Sequence, residues 1–304
     1  MQLDLISWNI LNHQSGNIRI LLKNTDLTKN HIKQLIKNEK SRYNLVVKNN
    51  LFGILDYLYN QSKIIFLQEV DKEILVILKK KYKLVFSTRE PDINLLTNEK
   101  KQEYRVIILP ETFLGFEIIE KEIILENSYA KKNCLMVKIN MESNYLILIN
   151  VHLHWKSNDS DIKKYAEKIF GELKKSFIDL TKLRIIISGD FNKSIKKVEN
   201  NFGEIFKLLS NNGIILNSNY QNISKDDFTS HTTDTTETKK FDIIDNILTS
   251  SNITVLKPIQ IIDKINGMDV YMSPNDLINL NLPEIKLNPG YISDHKLIQL
   301  SIRL

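Results

Sequence analysis

An α/β fold is predicted, because short runs rich in β-branched residues alternate along the chain with longer stretches of helical periodicity. The clearest strands are I-I-F-L at Ile64 to Leu67 and I-I-I at Ile185 to Ile187, apolar and too short for helices. The clearest helix runs from Asp161 to Phe177, with Ile162, Tyr165, Ile169 and Leu173 at i, i+3, i+7 and i+11. Neither an internal repeat nor a Pro/Gly-rich linker divides the 304 residues.

Leu3 to Ile10 reads as the first strand, with Leu3, Leu5 and Trp8 turned toward a core. A polar, helix-prone region follows from about Thr28 to Asn60, and its end places Leu51, Ile54, Leu55 and Leu58 on one helical face. After the strand at Ile64 to Leu67, Asp71 is placed to N-cap a short helix containing Ile74, Leu75 and Leu78. Strands are expected at Leu84 to Ser87, Tyr104 to Leu109, Leu135 to Ile139 and Tyr145 to Leu153. The helix from Asp161 and the strand at Ile185 come next, then a helix at Phe202 to Leu209. Strands at Ile243 to Leu248 and Leu297 to Ile302 close the pattern. The segments 222–240 and 251–291 lack periodicity and read as long loops or excursions. One domain over 1–304 is expected, since the candidate site residues run from Asn9 to His295.

The composition, 42% hydrophobic and 26% charged, is that of a soluble globular protein with a sizeable core. No run reaches the ~18 apolar residues that span a bilayer. The chain enters its first strand pattern at Leu3 with no signal peptide before it, so an intracellular protein without membrane contact is expected, as a monomer. The single cysteine, Cys134, excludes an internal disulfide and a thiolate metal cluster, and within C-L-M-V it reads as a small core residue. A net charge of +6 suits an anionic partner such as nucleic acid. Lys, Asn and Ile are abundant throughout, however, a bias expected of an AT-rich coding sequence whatever the protein binds.

Four separated stretches put polar residues at the end of an apolar run: S-W-N (Ser7 to Asn9), L-Q-E (Leu67 to Glu69), S-G-D-F-N (Ser188 to Asn192) and S-D-H (Ser293 to His295). V-H-L-H (Val151 to His154) lies between the second and third. Polar groups where buried strands emerge into solvent are those a hydrolase gathers around a divalent metal. Glu69 is placed to hold Mg²⁺, a hard cation that prefers oxygen ligands; a charge at the start of the next helix explains it as well. Asn9 is a further metal ligand or a plain turn residue. Asp190 and Asn192, on one side if the backbone stays extended, could orient an attacking water and touch a phosphate oxygen. A strand-to-turn connection is the alternative there.

Asp294 offers another metal oxygen, and His295 a phosphate-facing donor or general base whose tautomer needs a carboxylate. Asp245, costly to bury unless paired, is assigned to His295. His152 and His154 share one strand face; His152 is read as a donor to the scissile phosphate, and no third nitrogen or sulfur ligand supports a zinc site. His231, in a polar loop, is a candidate substrate contact, while His13 and His31 have no motif around them. No phosphate loop, G-x-G-x-x-G fingerprint or G-x-S-x-G elbow is present.

As a set these motifs resemble the endonuclease/exonuclease/phosphatase superfamily, the metal-dependent fold of DNase I. The resemblance implies a four-layer α/β sandwich, two mainly antiparallel sheets face to face with helices outside, and Mg²⁺ as cofactor with Mn²⁺ able to replace it. It implies that Asn9, Glu69, Asp190, Asn192, Asp245, Asp294 and His295 form the site and that His152 contacts the phosphate. Within the superfamily S-W-N-I-L, L-Q-E-V-D, V-H-L-H-W and F-T-S-H-T (Phe228 to Thr232) are similar to the carbon-catabolite-repressor-type deadenylases, nocturnin and the 2′-phosphodiesterases. That branch implies a 3′-5′ exoribonuclease acting on single-stranded RNA, with His154, His231 and Phe241 near the substrate. Ser157 stands near the place of a deadenylase proline and Asn246 in that of a tyrosine, so a poly(A) preference is not implied. A DNA endonuclease or repair phosphodiesterase, an inositol-phosphate or sphingomyelin hydrolase, and a binding protein that has lost the chemistry are the competing classes.

Overall fold

Side chains alternate along the first strand, β1 (Gln2–Asn9), so that Leu3 and Leu5 face one core while Ile6 and Trp8 face another. A strand buried on both faces belongs inside a layered stack. The structure, a computed structural model, describes residues 1–10, 30, 48–93, 100–126, 131–154, 157–177, 179–211, 214–221, 229–232, 240–270 and 295–304. β1 lies in a six-stranded sheet ordered β13 (Thr254–Ile262), β16 (Leu297–Arg303), β1, β2 (Ile64–Val70), β4 (Lys100–Leu109) and β3 (Leu84–Ile93). A second six-stranded sheet is ordered β5 (Ile118–Glu126), β6 (Lys131–Met141), β7 (Asn144–His152), β8 (Leu183–Asp190), β12 (Asp245–Ser250) and β9 (Leu216–Ser218).

Only β1–β2 and β7–β8 pair in parallel among these neighbours. Parallel neighbours need a crossover, and a helix supplies it: α1 (Lys48–Asn60) leads into β2, and α3 (Asp159–Ser176) into β8. Between them α2 (Lys72–Lys81) follows β2. Leu3, Leu5, Phe66, Leu146, Leu148, Ile186, Ile247 and Leu300 fill the space between the sheets. α1 and α2 cover the outer face of the first sheet through Leu51, Ile54, Leu58, Ile74 and Leu78. α3, with α4 (Ile195–Val198) and α5 (Glu204–Leu209), covers the second. The result is the four-layer sandwich of two mainly antiparallel sheets that the resemblance implies.

Local chemistry fixes where the helices start. Asp71 accepts from the amide of Ile74 at 2.7 Å, the expected N-cap. At α3 the Asn158 side chain accepts from Asp161 N at 2.9 Å, and Asp161 accepts from Asn158 N at 3.0 Å, a reciprocal capping box. Ile162, Tyr165, Ile169 and Leu173 of α3 are all buried, each such side chain contributing about 1.5–3 kcal/mol. Cys134 is fully buried as a core residue, and burial pushes its thiol up to about 12. Native protein should therefore resist thiol alkylation at pH 8, with labelling appearing only as denaturant unfolds the chain. Prompt native labelling would contradict this burial.

Several elements differ from expectation. The edge strand β5 is new; its I-I-E-K-E-I-I-L-E mixes charge into an apolar run. The last helix begins earlier than Phe202, as α4, a π-turn at Glu199–Gly203 and α5 in succession. The segment 251–291 is not a loop throughout: β13 occupies its start, followed by a hairpin of β14 (Lys264–Ile265) and β15 (Met268–Asp269). Pro258 and two register shifts against β16 blur the period of β13, which an edge strand tolerates. Within 222–240, β10 (Ser230–Thr232) pairs with β11 (Lys240–Asp242). Residues 271–291, His13 and His31 lie outside the described residues.

Candidate active site

The inner-face alternation continues to the strand ends, and there it turns polar. Leu3 and Leu5 of β1 give way to Ser7 and Asn9, and Phe66 of β2 to Gln68. Leu148 of β7 gives way to Asn150 and His152, and Ile186 of β8 to Ser188 and Asp190. β12 runs the other way and opens on Asp245, two residues before inner-facing Ile247. Register does the rest, setting Asn9 opposite Gln68, His152 opposite Asp190, and Asp190 opposite Asp245. One open edge of the sandwich thus gathers polar side chains from both sheets.

Three backbone irregularities shape that edge. Glu69 has φ 54° at a register shift where Leu67 faces Val106 but Val70 faces Tyr104. A non-glycine residue held there costs of order 1–3 kcal/mol and persists only if its surroundings enforce it. Asn192 has φ 51°, so the chain turns and does not stay extended after Asp190, which corrects that expectation. Asn192 N donates to Asp190 Oδ1 at 2.7 Å, and its side chain donates to Leu153 O at 2.8 Å. Gly189 has φ 143°, and a Cβ there would lie 1.9 Å from Val151 O.

The side chains form one connected cluster. Asn9 Nδ2 donates to Glu69 Oε1 at 3.0 Å and to Asp190 Oδ2 at 3.1 Å, tying the first sheet to the second. His152 Nε2 lies 3.5 Å from Glu69 Oε1 and 3.7 Å from Asp190 Oδ2. His295 Nδ1 meets Asp245 Oδ2 at 2.9 Å, and its Nε2 lies 3.8 Å from Asp190 Oδ2. Asp245 is thus the carboxylate that orients His295. Trp8 Nε1 donates to His295 O at 3.3 Å, and Thr229 Oγ1 accepts from the amides of Ile244 and Asp245.

Electrostatics follow from burial. Asp190 is pushed well above the ordinary carboxylate range, first by burial and then by Asp245 and Glu69; His295 and the Asn192 amide pull the other way. His152 is pushed well below the usual imidazole value by burial and by the positive charge of Lys132, Arg105 and other histidines, so it is neutral at pH 7. Burial likewise lowers Lys132, against the pull of Glu69 and Asp190. Among the described residues, Asp245 Oδ1 is buried without a hydrogen-bond partner. Crowded carboxylates and an orphaned anionic oxygen fit a divalent cation. Glu69 and Asn9 offer hard oxygen atoms of the kind Mg²⁺ takes. The buried Asp190–Asp245–His295 group, with ligand atoms within 4.8 Å of one another, could also hold a metal, though Asp245 and His295 engage each other there.

Asn9, Glu69, His152, Asp190, Asn192, Asp245 and His295 therefore meet at one edge. His154 precedes the turn to α3, where its carbonyl accepts from Ser157 N. The backbones of His231 and Phe241 pair across β10 and β11. Asp294 lies outside the described residues. Sequence reasoning missed Gln68, Arg105, Lys132, Asn150 and Thr229 as neighbours of the site. For Asn150 a signal existed: the residue two before a site residue shares its strand face, as Ser7 does for Asn9 and Ser188 for Asp190.

The fold is that of the endonuclease/exonuclease/phosphatase proteins, the DNase I-like sandwich. Neither a protein-family model nor a curated protein matches the sequence. Among solved structures, D. rerio TDP2 complexed with single-strand DNA product is similar, with 16% identity and a TM-score of 0.60, over 100% of this chain and 99% of that one. The human nocturnin catalytic domain with bound sulfate has 16% identity and a TM-score of 0.55, over 99% and 93% of the two chains. A Bacteroides thetaiotaomicron mannosyl-6-phosphatase has 13% identity and a TM-score of 0.61, over 99% and 100%. At such identities the likeness is one of fold.

Proposed function

We propose that this chain is a Mg²⁺-dependent phosphodiester hydrolase of nucleic acid, a 3′-5′ exoribonuclease acting on single-stranded RNA. One observation carries the reading: Asn9, Glu69, His152, Asp190, Asp245 and His295, from both sheets, are linked by contacts of 3.8 Å or less at one open edge. Because residues from Asn9 to His295 share that site, we read 1–304 as one domain.

Glu69 and Asn9 would hold the metal, with Asp294 a third ligand. When bound, the cation supplies Lewis-acid polarisation of the phosphate and charge for the leaving oxygen. Asp190 acts as general base, and its raised affinity for a proton suits a group that must take one from water near neutral pH. Asn192, anchored to Leu153 O, fixes the turn that holds Asp190 at the edge. His152, neutral, donates an N–H to a phosphate oxygen, and His295, oriented by Asp245, meets another. His154, His231 and Phe241 are the proposed substrate contacts. S-W-N-I-L, V-H-L-H-W and F-T-S-H-T favour RNA. The DNA product bound to TDP2 favours a second reading, a DNA phosphodiesterase.

Incubation with end-labelled single-stranded RNA, single-stranded DNA, duplex DNA and a soluble inositol phosphate separates these readings. RNA should shorten stepwise from its 3′ end with Mg²⁺ and stay intact with chelator. Turnover of the inositol phosphate alone would exclude a nucleic-acid substrate.

A further inference from the structure

At the bulge in β2 the ladder is broken: Leu67 faces Val106, then Gln68 and Glu69 together face Arg105 before Val70 meets Tyr104. A bulge leaves backbone groups without their ladder partners, and buried carbonyls need donors from elsewhere. Here the donors come from the other sheet. Asn150 of β7 donates both side-chain N–H groups, to Leu67 O and Val106 O, each at 2.9 Å. Its Oδ1 accepts from Gln68 Nε2 at 2.8 Å. Asn150 and Gln68 are both fully buried, so one amide grips the bulge at three points, through both its N–H donors and its carbonyl oxygen.

The place of Asn150 in its own sheet matters equally. It stands two residues before His152 and opposite Ser188, which stands two before Asp190. The strand face that carries His152 and Asp190 therefore also holds the backbone that carries Glu69. Around this pin the sheets meet through apolar side chains, which are not directional, and at the edge through the hydrogen bonds of Asn9 to Asp190 and of Arg105 to His152 O. Contacts between Glu69 and the opposite sheet, such as 3.5 Å from His152, depend on that alignment.

We infer that Asn150 is a positioning residue: its amide, reaching across the sandwich, holds the β2 bulge and so aims Glu69 at the groups of the second sheet. The inference rests on the proposed role of Glu69 as a metal ligand only for its effect on activity. For backbone and side-chain placement it stands alone.

The test uses Asn150→Ala and, against a failure of that variant to fold, Gln68→Met, which removes the third grip while keeping the bulk. In a crystal structure of a folded variant, Glu69 should leave its left-handed conformation or lose its hydrogen bond from Asn9. Mg²⁺ titration followed by thermal unfolding should show binding weakened about 10–100-fold, the range for groups that orient metal ligands. kcat on RNA should fall by a similar factor with KM little changed. A folded variant that keeps Glu69 in place and titrates with Mg²⁺ as wild type does would overturn the inference. If wild type itself takes no Mg²⁺, the metal reading fails, and the position of Glu69 in the variant still decides this one.

Discussion

Replacing Asp190 with asparagine is expected to lower hydrolysis by about 10²–10⁴-fold, the range for a positioned general base, without loss of stability. Both halves come from one cause. Asp190 is buried beside Asp245 and Glu69, an arrangement that disfavours its charge. Asparagine keeps the shape and an oxygen for the Asn192 amide and removes like-charge repulsion, while its amide nitrogen loses the hydrogen bond from Asn9, so the two effects oppose and metal-free D190N should melt close to the wild-type temperature. Initial rates on labelled RNA, paired with thermal unfolding in chelator, check the two halves separately. A variant that is active, or inactive only because it is unfolded, would refute this role.

Gly189→Ala is expected to be the most destabilising single substitution near the site, by about 4 kcal/mol or more, in the exceptional class of point mutations. The added Cβ would lie 1.9 Å from Val151 O, in a backbone conformation that side chains rarely adopt. β8 is central, with β7 on one side and β12 on the other, so neither neighbour can yield freely. Relieving the clash means parting β7 from β8 where His152 faces Asp190, so activity should go with stability. Urea unfolding of the soluble fraction measures the loss. A variant within about 1 kcal/mol of wild type would show that β7 and β8 approach less closely than the structure has them.

The position of Gly189 bears on what the sequence discloses. S-G-D-F-N reads as a strand running into polar residues, and it is one; the glycine's need arises from Val151, a residue 38 positions earlier that no local pattern connects to it. The same division runs through the site. Asn9, Glu69, Asp190 and His295 are legible because each follows or abuts an apolar run, and the pairing of Asp245 with His295 follows from the cost of burying a lone carboxylate. The bulge at Glu69 is not legible, since glutamate does not announce positive φ, whereas the turn at Asn192 is the strand-to-turn alternative, at a residue type that takes positive φ more readily than most. Arg105 was hidden in a run that reads as a plain core strand, and the shared-face spacing that marks Asn150 does not say what it bonds. Their partners lie on other strands: Asn150 bonds to Leu67, 83 residues away, and Arg105 Nη2 donates to His152 O at 3.4 Å.

Calorimetric titration of Mg²⁺ into wild type and Glu69→Gln tests most directly whether these strand ends assemble a metal site. Wild type should bind at one site per chain and the variant, still folded, should lose that binding. Equal binding by the two proteins, or none by wild type, would contradict the account.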